Sequence, residues 1–230
     1  MKSLKRILTI MMAVTVVAIG ATAQSRQGKW TVTPRVGVNS SDVTGLKWYE
    51  TTDDGKNVER GNMKTKRKWG LTAGADVECL VNRRIGLSAG VFYSNQGYAY
   101  DGNGESGEIY YGDQKMDGTM YVHLHMFNMP LMVNVYLLPG LALKTGLQVD
   151  GLISARQKYH GESEDILNSL KTVGLSIPVG LSLDVSRLSL DVRYSFGLTD
   201  YCDVRAMNNL GANWKTNVLC LTLGYRIAIK

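Results

Sequence analysis

The sequence predicts an all-β protein, an eight-stranded antiparallel up-and-down transmembrane β-barrel. Three observations predict this fold. Apolar and polar residues alternate with a period of two, short and long connections alternate along the chain, and charged residues are confined to one of the two strand faces. A period of two is that of a β-strand, whose side chains point alternately to opposite faces. Strands of about ten residues are long enough to cross a bilayer at a tilt.

The N-terminal segment has the features of a secretory signal peptide. Lys2, Lys5 and Arg6 form a basic start, residues 7–19 form an apolar core, and cleavage is expected after Ala23. We therefore divide the chain into a signal peptide, residues 1–23, and an outer-membrane barrel domain, residues 24–230. The full chain has a net charge of +6, and removal of the basic leader leaves +3. This modest excess does not indicate a nucleic-acid partner.

The first four strands are expected near residues 30–39, 68–80, 85–96 and 121–138. Each places apolar side chains at every second position, as the first, second and fourth strands illustrate. These positions are Val32, Pro34, Val36 and Val38; Leu71, Ala73, Ala75, Val77 and Cys79; and Phe127, Met129, Leu131, Val133, Val135 and Leu137. No Asp, Glu, Lys or Arg interrupts these sets, so this face is expected to contact lipid.

The last four strands are expected near residues 141–153, 171–185, 187–198 and 215–229. The final three alternate most regularly. Their apolar positions are Val173, Leu175, Ile177, Val179, Leu181 and Leu183; Leu188, Leu190, Val192, Tyr194, Phe196 and Leu198; and Leu219, Leu221, Leu223, Tyr225, Ile227 and Ile229. The intervening residues are polar or small, which assigns them to the opposite face.

The connections between these strands fall into two length classes that alternate strictly. The short ones lie at residues 81–84, 138–140 and 186–187, and the long ones at residues 40–67, 97–120, 154–170 and 199–214. Outer-membrane barrels place short turns in the periplasm and long loops outside. The sequence therefore predicts the bacterial outer membrane as the location, with both termini in the periplasm.

Charged residues occupy the polar faces of the strands. They are Arg35, Asp76, Glu78, Lys144, Asp150, Asp184, Asp191, Arg193 and Arg226. Buried charges need partners, so mixed signs on one face predict a network of ion pairs inside the barrel. An eight-stranded barrel is just wide enough for side chains to fill. We expect a filled lumen and no open pore.

A basic cluster precedes the second strand, and aromatic residues lie near both ends of the strands. Lys64, Lys66, Arg67 and Lys68 adjoin Trp69, and they form either a solvated flank or a contact with lipid headgroups. Trp69 is joined at the long-loop end by Tyr98, Tyr100, Tyr121 and Trp214, whereas Trp30 and Tyr225 lie toward the other end. Such rings favour the headgroup level. Cys79, Cys202 and Cys220 are expected to be free thiols, since their spacing indicates no disulfide framework.

Several motifs follow one another along the predicted strands and turns. They are Gly70-Leu71-Thr72-Ala73-Gly74-Ala75, the turn-strand run from Asn82 to Gly90, Asn128-Met129-Pro130-Leu131-Met132-Val133-Asn134-Val135-Tyr136, the strand from Leu188 to Leu198, and Leu223-Gly224-Tyr225-Arg226. Together they resemble the PorT-like family of outer-membrane β-barrel proteins. The resemblance covers nearly the whole mature chain and implies the fold and the outer membrane. It implies little about activity, although one branch of the family is tied to a protein-secretion apparatus. Asn134 departs from the family, in which Lys is common at this position.

Function is less constrained than fold. We expect a non-enzymatic, monomeric membrane scaffold, without cofactor or metal, whose long extracellular loops contact partners; outer-membrane lipids and other envelope proteins are the expected partners. A second interpretation is a lipid-modifying enzyme centred on His123 and His125, which share a strand face. A third is a secreted barrel that binds a small apolar ligand, which would need apolar residues inside.

Overall fold

The structure is a computed structural model that describes residues 30–45, 47–51, 57–62, 65–101, 110–111, 114–115, 118–201 and 214–229. Its strands are β1 (Trp30–Thr44), β2 (Lys47–Thr51), β3 (Asn57–Asn62), β4 (Thr65–Leu80), β5 (Ile85–Asp101), β6 (Tyr110–Tyr111), β7 (Gln114–Lys115), β8 (Thr119–Leu138), β9 (Leu141–Tyr159), β10 (Glu162–Asp165), β11 (Val173–Val185), β12 (Leu188–Gly197), β13 (Lys215–Tyr225) and β14 (Ile227–Ile229). The one helix among the described residues is a 3₁₀ turn, Leu167–Ser169. No helix in these ranges is long and apolar enough to cross a membrane.

Eight of these strands close into an antiparallel barrel, as predicted. Each long strand pairs with the next one along the chain, in the order β1, β4, β5, β8, β9, β11, β12 and β13. The barrel closes where β13 returns to β1, with Val38 opposite Leu221. Every neighbouring pair is antiparallel, so the topology is a simple up-and-down meander without an open edge in the barrel wall.

The two ends of the barrel differ in the way the strands are joined. At one end, hereafter the short-turn end, β4–β5, β8–β9 and β11–β12 are joined by residues 81–84, 139–140 and 186–187. In the first of these turns, Asn82 Oδ1 accepts hydrogen bonds of 2.8 Å from the backbone N–H groups of Arg84 and Ile85. Gly140 adopts φ 86°, a left-handed conformation that favours glycine. The other end, hereafter the long-loop end, carries the four long connections.

The side-chain faces have the expected polarity. Leu190 and Leu221 are 40% and 44% exposed on the outer surface, whereas Asp191 and Arg193 are 2% and 8% exposed inside. The apolar outer surface continues around the barrel through residues such as Val36, Leu71 and Leu131. This arrangement is the reverse of a soluble ligand-binding barrel, which would be polar outside and apolar inside.

Most strands extend beyond the predicted bounds at the long-loop end. The second strand begins at Thr65 instead of residue 68, the third ends at Asp101 instead of 96, and the fifth ends at Tyr159 instead of 153. Hairpins β2–β3 and β6–β7, together with β10, also lie within connections expected to be loops. In these extensions the two faces no longer differ as they do along the apolar band, because neighbouring residues such as Ser40 and Ser41 on β1, and Tyr98, Ala99 and Tyr100 on β5, are all buried. The predicted bounds depend on the lipid-facing alternation and are therefore too short at this end.

Candidate functional site

All nine charged residues assigned to the polar faces lie buried inside the barrel. Eight of them form ion pairs. Arg35 Nε lies 2.5 Å from Asp76 Oδ2, Lys144 Nζ lies 3.0 Å from Asp191 Oδ2, and Arg193 Nη2 lies 3.1 Å from Asp191 Oδ1. Arg226 pairs with Asp184 and, at 3.5 Å, with Glu78. Buried ions of opposite sign therefore stand in direct contact, as their burial requires.

Neutral side chains link the ion pairs near the short-turn end into one network. Glu78 Oε1 accepts hydrogen bonds of 2.7 Å from both Asn134 Nδ2 and the Tyr136 hydroxyl. Ser189 Oγ donates to Asp184 at 2.7 Å and accepts from Arg35 Nη2 at 3.2 Å. The network thus joins residues of β1, β4, β8, β11 and β12 across the lumen. Asn134 of β8 belongs to this network through its hydrogen bond to Glu78.

Asp150 is the exception among the buried acids. Its carboxylate accepts hydrogen bonds from Asn128 Nδ2 at 2.5 Å, Gln148 Nε2 at 2.7 Å and Ser176 Oγ at 2.6 Å. All three donors are neutral, and no Lys or Arg within the described ranges forms an ion pair with it. The sequence could place Asp150 inside but could not show that it lacks a cation.

Near the long-loop end the interior becomes apolar, which the sequence did not predict. The buried cluster comprises Val43, Tyr98, Val122, Leu124, Met126, Leu152, Ala155, Leu170, Tyr201 and Trp214. We call this cluster the apolar plug. The rings of Tyr98 and Trp214 pack edge to face, with centroids 5.6 Å apart and planes at 86°. The plug closes the barrel mouth above the charged network.

The predicted aromatic girdle at the long-loop end is wrong for three of its residues. Tyr98, Tyr100 and Trp214 are buried, not exposed at the lipid interface. They lie beyond the apolar outer band, where inward side chains fill the mouth of the barrel. Trp69 and Tyr121 do lie on the outside, 71% and 48% exposed. Trp30 and Tyr225 are likewise exposed at the other end.

Between the plug and the charged network lies a cavity of about 30 Å³, lined by Phe92, Arg193, Val218 and Thr222 among others. A space of this size holds about one or two water molecules. Arg193 Nε and Thr222 Oγ1 are buried and have no hydrogen-bond partner among the described residues. The polar lining therefore favours hydration, while the volume is far below that of a solute channel.

The basic cluster before the second strand lies at the long-loop end. Lys64 falls outside the described residues, whereas Lys66, Arg67 and Trp69 are exposed and Lys68 is half-buried. Arg67 donates to Oγ of Ser40 at 3.0 Å and to its carbonyl oxygen at 2.7 Å. The β4–β5 register shifts between Arg67 and Thr72, which places Lys68 in an irregular stretch of the strand.

Within this irregular stretch the Lys68 side chain extends toward β5 and β8. Its ammonium group donates to His123 Nδ1 at 2.7 Å, to the Gln96 carbonyl oxygen at 3.2 Å and to Asn95 Oδ1 at 3.3 Å. Its stem crosses Gly97, where an added Cβ would lie 3.2 Å from Lys68 Cδ and 1.9 Å from the Val122 carbonyl oxygen. Burial lowers the pKa of Lys68, which lies beyond the apolar band, to about 8.

The two histidines point outward but have different partners. His123 Nδ1 accepts from Lys68, whereas His125 Nδ1 lies 2.5 Å from the Tyr93 hydroxyl, with the two rings stacked at 6.0 Å. Ser154 is the register partner of His125, but no hydrogen bond joins the two in the described structure. The described residues contain no group of three or more His, Cys, Asp or Glu side chains that could hold a metal ion.

Two further basic residues lie beside the histidines and were not assigned from the sequence. Arg156 is the register partner of His123, and Lys158 is the register partner of Tyr121. Both are exposed. Cys79 and Cys220 are free thiols and only partly exposed, and Cys202 lies outside the described residues.

The chain is similar to one sequence family and to several solved structures. Residues 22–203 match the sequence family described as outer membrane protein beta-barrel domain. No curated protein matches. Among solved structures, Ail of Yersinia pestis is similar, with 13% identity, a TM-score of 0.46 and coverage of 87% of this chain and 99% of Ail. Neisserial surface protein A has 12% identity and a TM-score of 0.47, with coverage of 86% of this chain and 97% of that protein. OprG of Pseudomonas aeruginosa has 13% identity and a TM-score of 0.43, with coverage of 89% of this chain and 98% of OprG.

Proposed function

This chain belongs to the outer membrane protein beta-barrel domain family, and we propose that it is a non-enzymatic scaffold of the bacterial outer membrane. Its barrel anchors the long connections at one end, and these contact envelope partners. The loops of a rigid scaffold commonly carry its function. Family membership supports the barrel and the membrane, and the finer role is our proposal.

The observation that carries this proposal is the filled interior. Two groups of ion pairs lie in the lumen, Arg226 with Asp184 and Glu78, and Asp191 with Lys144 and Arg193, and the apolar plug lies above them. A solute that diffuses through the barrel would have to separate buried ion pairs. Each separated pair would leave unpaired charges inside the barrel, which is energetically costly. The barrel is therefore suited to anchoring and presenting its loops and not to conducting solutes.

Planar-bilayer recording tests this claim. The full mature chain, refolded and inserted beside a general porin as positive control, should give no large, stable conductance steps. Steps comparable to those of the porin would overturn the proposal of a filled lumen. The folded state of the inserted sample is checked by its heat-dependent migration on gels.

The topology expected from the sequence is part of the same proposal. A leader cleaved after Ala23, termini in the periplasm, long connections outside and a monomeric barrel are all consistent with a single up-and-down meander. Intact-mass measurement of protein isolated from outer membranes should show a chain that begins at Gln24. A mass retaining residues 1–23 would remove the signal-peptide assignment.

The contacts of the two histidines support a non-enzymatic role. His123 is bound by Lys68 and His125 by Tyr93, and neither hydrogen-bonds a Ser or a carboxylate within the described ranges. Activation of a nucleophile requires a base within hydrogen-bond reach of it. A deletion strain should therefore show an unchanged mass profile of its outer-membrane lipid, and a lost or new species would favour the enzyme.

Partner proteins are best sought in intact membranes. The PorT-like resemblance makes an envelope protein of a secretion apparatus one candidate partner. Crosslinking in intact outer membranes, followed by purification of this chain, should recover a defined envelope protein. Recovery of the chain alone would leave lipids as its proposed partners.

A further inference from the structure

A group of basic side chains lies on the outer surface just beyond the apolar band. On β8 the outward residues change from Phe127, which is 45% exposed, to His125 and His123. His123 faces Arg156 across the β8–β9 pair, and Lys158 follows two residues later on the same face. We call Lys68, His123, Arg156 and Lys158 the rim patch. Its position is that of lipid headgroups if the apolar band spans the hydrocarbon.

No acidic side chain among the described residues forms an ion pair with the rim patch. Lys68 donates to three neutral acceptors and to no carboxylate. Arg156 and Lys158 form no ion pair within 4.0 Å among the described residues. Asp165, the register partner of Arg156 on β10, instead accepts a hydrogen bond of 2.9 Å from the Leu167 backbone N–H. Burial and the nearby charges of Lys68 and Lys158 lower the pKa of His123.

Lys68 also determines which nitrogen of His123 carries the proton. An ammonium group can only donate, so Nδ1 of His123 must be the acceptor of the 2.7 Å contact. The proton of the neutral ring is then on Nε2, and that N–H is left to donate elsewhere. This N–H, the exposed guanidinium of Arg156 and the exposed ammonium of Lys158 are three hydrogen-bond donor groups on one face. None of the three can accept a hydrogen bond.

We propose that the rim patch binds a phosphate monoester group of a lipid in the outer leaflet. Arg156, Lys158 and the His123 Nε2–H would donate to the phosphate oxygens, and Lys68 would supply supporting charge. We assign the phosphate to a lipid and not to a soluble molecule because the exposed rings of Phe127 and Tyr121 lie beside the donors and offer apolar contact to a lipid. The inference requires only that the barrel lie in a membrane, and it does not depend on the scaffold function.

The test measures lipid binding by the full mature chain refolded in a maltoside detergent, which carries no phosphate. The probes are a short-chain phosphatidic acid, phosphatidylcholine of the same chain length, and inorganic phosphate. The double variant R156Q/K158Q is compared with K171Q/K215Q, which removes the same charge elsewhere at the long-loop end. Arg156, Lys158 and Lys171 are exposed and Lys215 is partly exposed, and heat-dependent gel migration verifies that both variants are folded.

We expect the protein to bind phosphatidic acid more tightly than phosphatidylcholine. R156Q/K158Q should weaken phosphatidic acid binding about 25-fold, since each basic residue near a lipid surface contributes about 5-fold. K171Q/K215Q should change it by less than about 2-fold. Equal losses in the two variants, or equal affinity for the two lipids, would overturn the proposal. Displacement of the lipid by an equal concentration of inorganic phosphate would indicate a soluble-anion site and would also overturn it.

Discussion

Two buried aspartates allow the same substitution to be made in opposite electrostatic surroundings. Asp191 is contacted by two cations, with Lys144 Nζ at 3.0 Å and Arg193 Nη2 at 3.1 Å. Among the described residues, Asp150 is hydrogen-bonded only to the neutral donors of Asn128, Gln148 and Ser176. Aspartate to asparagine preserves shape and removes one negative charge. The two variants D191N and D150N are therefore matched in chemistry and differ in what surrounds the lost charge.

The expected magnitudes follow from these contacts. In D191N the ammonium of Lys144 and the guanidinium of Arg193 remain buried without their shared anion. Breaking a buried pair by removing one partner costs about 3–5 kcal/mol. In D150N no cation is left unpaired, the amide oxygen can still accept from Asn128 and Gln148, and the Ser176 hydroxyl can rotate to accept. We expect a change of no more than about 1 kcal/mol, close to the net value of one hydrogen bond.

The assay is equilibrium unfolding by guanidinium chloride in lipid vesicles, followed by tryptophan fluorescence and by heat-dependent gel migration. The free energy of unfolding is compared among wild type, D191N and D150N at pH 7. A loss of at least about 3 kcal/mol is expected for D191N only. Equal losses in the two variants, or a larger loss in D150N, would refute the view that ion pairing stabilises the barrel interior.

Three further predictions follow from other parts of the barrel. Replacing the lipid-facing Leu221 by Arg should reduce the free energy of unfolding in vesicles by about 2–4 kcal/mol. An unchanged free energy of unfolding would mean that Leu221 does not face the hydrocarbon. Trp214→Ala removes a buried ring of the apolar plug and should cost about 3–5 kcal/mol in the same measurement; a cost below about 1 kcal/mol would mean that the plug is loosely packed. Lys68 should titrate near pH 8, because burial lowers its pKa to about 8. Isotope-edited NMR of the Lys68 side chain checks this, and a midpoint above pH 10 would contradict the half-buried position.

The membrane-spanning part of the fold could be predicted because two different surroundings select two kinds of side chain. Lipid selects residues such as Leu190 and Leu221, and the packed interior selects residues such as Asp191. Their alternation is readable in a single sequence and assigns each residue a face. It also placed Asp150 inside without any knowledge of its neighbours.

The sequence could not predict the parts that depend on register or lie outside the hydrocarbon. Tyr98 and Trp214 are aromatic residues near strand ends, as in the aromatic girdle of a membrane barrel. In the structure they pack against each other in the barrel mouth, with ring centroids 5.6 Å apart. The contact of Lys68 with His123 depends on a register shift in β4, and an irregularity of one residue leaves no periodic signal. The neutral surroundings of Asp150 among the described residues likewise depend on which residues face it from β8 and β11.

The central claim is that the barrel is apolar outside and polar inside. A spin-label scan along β12 tests this claim most directly. Single cysteines at positions 188–197, in a background with Cys79, Cys202 and Cys220 replaced by Ser, are labelled in lipid vesicles. The account predicts that accessibility to dissolved oxygen alternates with a period of two, with maxima at outward positions such as Leu190 and Val192 and minima at inward positions such as Asp191. The opposite phase, or ready access of a water-soluble relaxation agent to Leu190 and Val192, would contradict it.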